Sequence, residues 1–177
     1  MKKKTLALVL ALTLLVAGVV GGTLAWLTDQ TAEVKNTFTV GDINIGLTET
    51  TADYKMVPGN TIAKDPTVTV KANSEACWLF VKVTESTDLK DFITYAIAEG
   101  WTALSGVDGV YYREVPASAA DQTFSVLAGD AVAVKSDVTR TMLQTAKTDA
   151  PTLTFQAYAI QKDHFATADA AWAEVSK

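Results

Sequence analysis

Two runs of alternating side chains constrain the fold more than anything else in the chain. In "ACWLFVKVTE", Cys77, Leu79, Val81 and Val83 fall on one side, and Trp78, Phe80 and Lys82 on the other. In "PTLTFQAYAIQK", Leu153, Phe155, Ala157 and Ala159 oppose Thr154, Gln156, Tyr158 and Ile160. Successive side chains of a strand point to opposite faces, so a period of two predicts strands. Trp78 and Phe80 on the second face of the first run predict that this face is also covered, by a loop, a helix or a neighbouring subunit.

The rest of the body reads as shorter strands between turn signals. Phe38 and Val40 alternate in one phase and Ile43, Ile45 and Leu47 in the other, with the slip at Gly41-Asp42. Residues 37–48 are therefore expected as one strand with a bulge or bend. Pro58-Gly59-Asn60 marks a turn, and Val68 and Val70 lie on a further strand. A short helical turn is expected over 88–92, capped by Ser86 or Thr87. "ITYAIAEGW" fits either period and is read as strand for its β-branched and aromatic content. "SGVDG" (105–109) predicts a hairpin connection into "VYYREV". "QTFSVL" and "AVAVK" follow as strands around Ala128-Gly129-Asp130. Ser136 or Asp137 is expected to cap a helix reaching about Lys147, with Val138, Met142 and Leu143 on its buried side. Thr167 is expected to cap a last helix through Glu174 that buries Trp172 and Val175. Eight or nine short strands with one or two inserted helices predict a mainly β fold, a jelly-roll-like antiparallel β-sandwich.

The first 25 residues differ in kind. Lys2, Lys3 and Lys4 precede an uncharged apolar run from Thr5 to Val20, then Gly21-Gly22 and Thr23-Leu24-Ala25. Basic start, apolar centre and small residues at −3 and −1 are the anatomy of a helical signal peptide cut between Ala25 and Trp26. A membrane anchor is the rival, because about 20 apolar residues span a bilayer. The glycines and the small-x-small pattern favour the cut. The expected organisation is a signal peptide at 1–25, a flexible polar segment at 26–36 and a β domain at 37–177. Contact with the membrane is then expected only through the signal peptide before cleavage. Beyond the leader, 12 basic residues face 20 acidic ones, a net charge of −8. That balance argues against nucleic acid or anionic lipid as partner. With Cys77 as its one cysteine, the chain has no intrachain disulfide and must rely on its core.

The stretches "GGTLAWLTDQTAEVKNTFTVGDINIGL", "VPGNTIAKDPTVTVKANSEACWLFVKV", "GWTALSGVDGVYYREV" and "LTFQAYAIQKDHFATADAAW" together resemble the TasA/camelysin-like family of Gram-positive bacteria. The resemblance covers nearly the whole chain and is most specific in the leader and first strand. It implies processing by a signal peptidase of the SipW type, secretion, and a jelly-roll subunit on the cell surface or in the biofilm matrix. It also implies association with like subunits or other matrix proteins, by an N-terminal segment that completes the sheet of the next subunit. By position, Trp26 and Leu27, ahead of Phe38 and Val40, match that segment.

No residues point to an enzyme. A zinc peptidase helix needs two histidines one turn apart and a glutamate, whereas this chain has only His164. Cys77 alternates with Leu79 and Val81, which marks a core thiol rather than a nucleophile. No phosphate-binding loop, dinucleotide fingerprint or nucleophile elbow occurs, so no cofactor is expected. Asp42, Asp65, Asp108, Asp130 and Asp163 sit in or beside turns, where turn chemistry accounts for aspartate without calcium. Trp78 and Phe80, with Trp101, Tyr111 and Tyr112, form a candidate binding face for glycan or protein. Packing between strands is the competing explanation.

Overall fold

The computed structural model describes residues 42–50 and 54–177, together with Lys3. The signal-peptide helix, the cut site at Thr23, Ala25 and Trp26, and the assembly residues Trp26, Leu27, Phe38 and Val40 lie outside these residues. Among the described residues no helix is long and apolar enough to cross a membrane.

The body is mainly β, with ten strands in three antiparallel sheets. They are β1 (Ile45–Thr48), β2 (Thr61–Ala63), β3 (Thr67–Val70), β4 (Cys77–Glu85) and β5 (Ile93–Thr94). Then come β6 (Thr102–Ala103), β7 (Val110–Val115), β8 (Gln122–Ser125), β9 (Ala131–Val134) and β10 (Leu153–Gln161). Three short helices interrupt them, α1 (Leu89–Phe92), α2 (Arg140–Thr145) and α3 (Ala168–Val175). The sheets run β1-β3-β8, β10-β4-β7-β6 and β2-β9-β5.

The alternation fixes how these layers stack. Cys77, Leu79, Val81 and Val83 of β4 pack in one cluster with Val68 and Val70 of β3, joined by Ile45, Phe124 and Phe155. The three-stranded β1-β3-β8 sheet therefore faces the four-stranded sheet across a common core. The opposite face of β4 is covered as well. Trp78 and Phe80 pack with Leu104, Val110 and the α3 residues Ala168 and Ala171, and Trp172 joins them half-buried. Of the three covers that the sequence leaves open, a helix and the loop residues Leu104 and Phe165 beside it are observed. The third sheet gathers Leu89, Phe92, Val132, Val134 and Val138 into a separate cluster, reached by Leu153 and Phe155 of β10.

Several expectations hold. Both long alternating runs form strands, and the structure adds that β4 and β10 pair antiparallel over their full length, Leu153 opposite Glu85 and Gln161 opposite Cys77. Thr167 caps α3, its hydroxyl accepting the Ala170 N–H at 3.3 Å. The 105–109 turn closes a hairpin between β6 and β7. Glycine is required there at 109, where φ is +72° and an added Cβ would collide with the Val83 carbonyl oxygen.

Others are corrected. Among the described residues there are three helices, not one or two, and ten strands rather than eight or nine. The cap of α2 is Thr139, whose hydroxyl accepts the Met142 N–H, not Ser136 or Asp137. Val138 is then buried just ahead of the helix instead of along it. The α1 cap is Asp88, whose side chain makes no capping bond and accepts the Ser86 hydroxyl at 3.0 Å. The Ser86 hydroxyl also accepts the Thr152 N–H at 2.9 Å, which ties the end of β4 to the start of β10. "ITYAIAEGW" keeps strand pairing only at Ile93–Thr94 and at an isolated Ile97–Leu127 bridge. In the described part of 37–48, strand pairing begins at Ile45. The three-residue β2 carries too short a pattern to read from sequence.

Candidate functional site: an unpaired sheet edge

A sheet edge exposes a row of backbone N–H and C=O groups that another strand can pair with. β10 offers the longest such edge. Its nine residues span roughly 30 Å at the usual rise per residue. Among the described residues it pairs on one side only, with β4. β1, the edge of the facing sheet, runs alongside it. A groove of about 300 Å³ separates the two, lined by Leu47, Thr48, Glu49, Pro66 and Leu153 to Phe155. Past Leu153 and Thr154 a second hollow of about 420 Å³ continues over Met56, Ile62, Val132 and Pro151.

The inward residues of β10 are half-buried, whereas Leu79, Phe80 and Val81 of β4 are 0% exposed. Two of those inward residues are the small Ala157 and Ala159. Leu47 is 36% exposed on the groove's rim. The edge thus combines unpaired backbone with unfilled apolar space.

A polar clip bounds this groove. Lys64 is buried and its ammonium lies 2.6 Å from Glu49. Glu49 also accepts the Tyr54 hydroxyl at 2.8 Å. The same ammonium sits over the rings of Tyr54 and Phe155, at 4.7 and 5.4 Å from their centroids. Beside it the Thr50 N–H and hydroxyl both donate to Asp65. Those bonds, the hydroxyl's first, hold the Asp65 carboxyl below its ordinary range.

The opposite flank of the same two sheets is closed. Trp101, just before β6, donates its indole N–H to the Ser125 carbonyl on β8 at 2.9 Å, and so bridges the two edges. Arg113 projects from β7 toward the facing sheet, its guanidinium carbon 3.9 Å from the Phe124 ring centroid and 5.4 Å from that of Trp101. Its Nε is buried without a hydrogen-bond partner. Burial also lowers the guanidinium's proton affinity. Gly100, at φ +83°, leaves the space this side chain fills, since a Cβ there would lie 3.1 Å from a guanidinium nitrogen.

No family model matches the chain, and no curated protein or solved structure does so either. Its chemistry therefore has to be read from its own residues.

Trp78 and Phe80, expected as a candidate binding face, are instead a packed layer at 6% and 0% exposure. Trp78 meets Tyr112 edge to face at 5.8 Å and gives its indole N–H to the Phe165 carbonyl. Phe80 lies 5.3 Å from Trp172. Cys77 is buried, and desolvation pushes its thiol up to about 11. His164 sits on an exposed turn after β10. Among the described residues no three His, Cys, Asp or Glu side chains converge to hold a metal ion.

Proposed function

We propose that this chain is an exported cell-surface or matrix subunit of the TasA/camelysin type that assembles by taking a strand from another subunit onto the free edge of β10. One observation carries the reading: a nine-residue edge, unpaired among the described residues, beside a part-filled apolar groove. Strand addition uses backbone bonds for affinity and alternate side chains for specificity. Residues 26–36, freed by cleavage after Ala25, are the candidate donor. Extended, they reach about 36 Å, enough to cover β10. A jelly-roll arrangement of the two facing sheets fits the reading, because its strand neighbours are mostly distant in sequence, as β1-β3-β8 and β10-β4-β7 are. The role needs no catalytic group.

Two measurements test it. The secreted protein should begin at Trp26, and a chain beginning at Met1 in the membrane fraction contradicts export by cleavage. Cleaved protein should form fibres under electron microscopy, and a variant lacking 26–36 should stay monomeric. If the intact mature chain stays monomeric even with preformed seeds, assembly by strand addition is wrong.

A further inference from the structure

A further cleft among the described residues lies beyond the hollow over Met56 and Pro151, sharing Leu89 and Ile93 with it. It holds about 490 Å³ between the end of β4, α1, β5 and β7. That is within the range of about 300–1,000 Å³ usual for small-molecule sites. Its floor is apolar, from Leu89, Ile93 and Ile97. Its rim is polar and mixed in sign. Glu85 accepts the Tyr95 hydroxyl, which fixes both side chains. Burial, reinforced by that bond, raises the Tyr95 proton affinity, so its hydroxyl stays protonated. Tyr111 adds a second half-exposed ring.

Lys90 and Lys135 complete the rim from α1 and from the end of β9. Four lysines of the described body, at 64, 71, 162 and 177, have a carboxylate within 4 Å. Lys90 and Lys135 do not, nor do Lys55, Lys82 and Lys147, but only Lys90 and Lys135 meet at one cleft. In a body with 20 acidic residues, two unpaired ammonium groups on one cleft make a local positive field.

We propose that this cleft binds an acidic oligosaccharide about two sugar rings long. The apolar floor and tyrosine rings suit the C–H face of a sugar. Glu85 and the tyrosine hydroxyls suit its hydroxyls as acceptor and donors. The two lysines take its carboxylate or phosphate. A nucleic acid strand would need a longer basic track than two lysines flanked by Glu85. The site is independent of strand addition, and would fasten a subunit to a charged matrix polymer whether or not the subunit polymerises.

Calorimetric titration of the full chain tests it, with digalacturonic acid, glucose 6-phosphate, maltose and inorganic phosphate as probes. One or both acidic sugars should bind saturably and shift the methyl NMR signals of Ile93 and Ile97. The double variant Lys90→Ala, Lys135→Ala should bind about tenfold more weakly, as expected for losing two exposed ion pairs, with its folded spectrum retained. Equal binding of maltose would overturn the role of charge, and equal binding of inorganic phosphate would overturn sugar recognition. No saturable binding of either acidic sugar, or binding unchanged in the double variant, would overturn the site.

Discussion

On the β6/β8 flank, side chains do what backbone pairing cannot. β6 has only two residues and β8 four, too few to close the gap between sheets. Trp101 spans the edges with its indole bond, and Arg113 fills the interior beneath it, stacked on Phe124. On the β1/β10 flank β10 is long, nine residues against four in β1, but among the described residues the space between them is not filled. Phe155 reaches in, and the next inward positions are Ala157 and Ala159. Among the described residues the β6/β8 flank is sealed and the flank that carries the nine-residue β10 is open. A long open edge is a liability unless something covers it. In the reading proposed here, the partner subunit is that cover.

The contrast is broken most directly on the sealed flank. Trp101→Ala removes a half-buried ring and the bond to Ser125, and should cost about 3 kcal/mol. Denaturant unfolding would show it as a lower midpoint with an unchanged slope. Arg113→Met should behave differently. The arginine has no carboxylate partner and carries an unsatisfied Nε, so an apolar side chain of similar length should change stability by less than about 1 kcal/mol in either direction. If Trp101→Ala is neutral, or Arg113→Met is as harmful as Trp101→Ala, the flank is not closed in the way described.

On the open flank, function and stability should separate. Gln156→Lys places a charge on the exposed face of β10 while its pairing with Lys82 on β4 continues. Like charges opposite each other cost a few tenths of a kcal/mol, so stability should fall by no more than about 0.5 kcal/mol. An edge lysine should still slow fibre growth severely, because it opposes pairing with an incoming strand. Fibre growth at the wild-type rate would remove β10 as the acceptor.

The two flanks were not equally legible in the sequence. The faces of β4 and β10 follow from alternation, since four successive alternate residues in each are apolar, Cys77 to Val83 and Leu153 to Ala159. The cap at Thr167 follows from one hydroxyl at the right offset. The sealing role of Arg113 does not follow. "VYYREV" alternates equally well with arginine inward or outward, and only the register with β4, Leu79 opposite Arg113, decides. The open edge is hidden for a related reason. Which strand ends a sheet is a property of long-range pairing, and no local pattern in "PTLTFQAYAIQK" distinguishes an edge from a centre. The cap at Thr139 was missed because "SDVT" offers three capping residues within four positions, and burial of Val138 selects the last.

The smallest effect concerns one carboxylate beside each flank. Asp65 accepts from the Thr50 hydroxyl and N–H next to the open groove. Asp121, just ahead of β8, accepts the Ala72 N–H at 2.8 Å and the Lys71 ammonium at 3.1 Å. Both carboxyls are held below their ordinary value of 3.8, Asp65 first by the Thr50 hydroxyl and Asp121 first by the Ala72 N–H. A depressed folded value means that the unfolded chain binds the proton more tightly. The contribution is therefore fully present above about pH 4 and is lost as pH falls through the folded values. Both groups are exposed, so the loss should be shallow. Side-chain NMR titration should place both midpoints below 3.8. Thr50→Val should return Asp65 toward 3.8 and leave Asp121 where it is, because the two sites share no partner. If Thr50→Val moves both midpoints together, the carboxylates report a common opening of the body in acid, and the local bonds at the two flanks are not what depresses them.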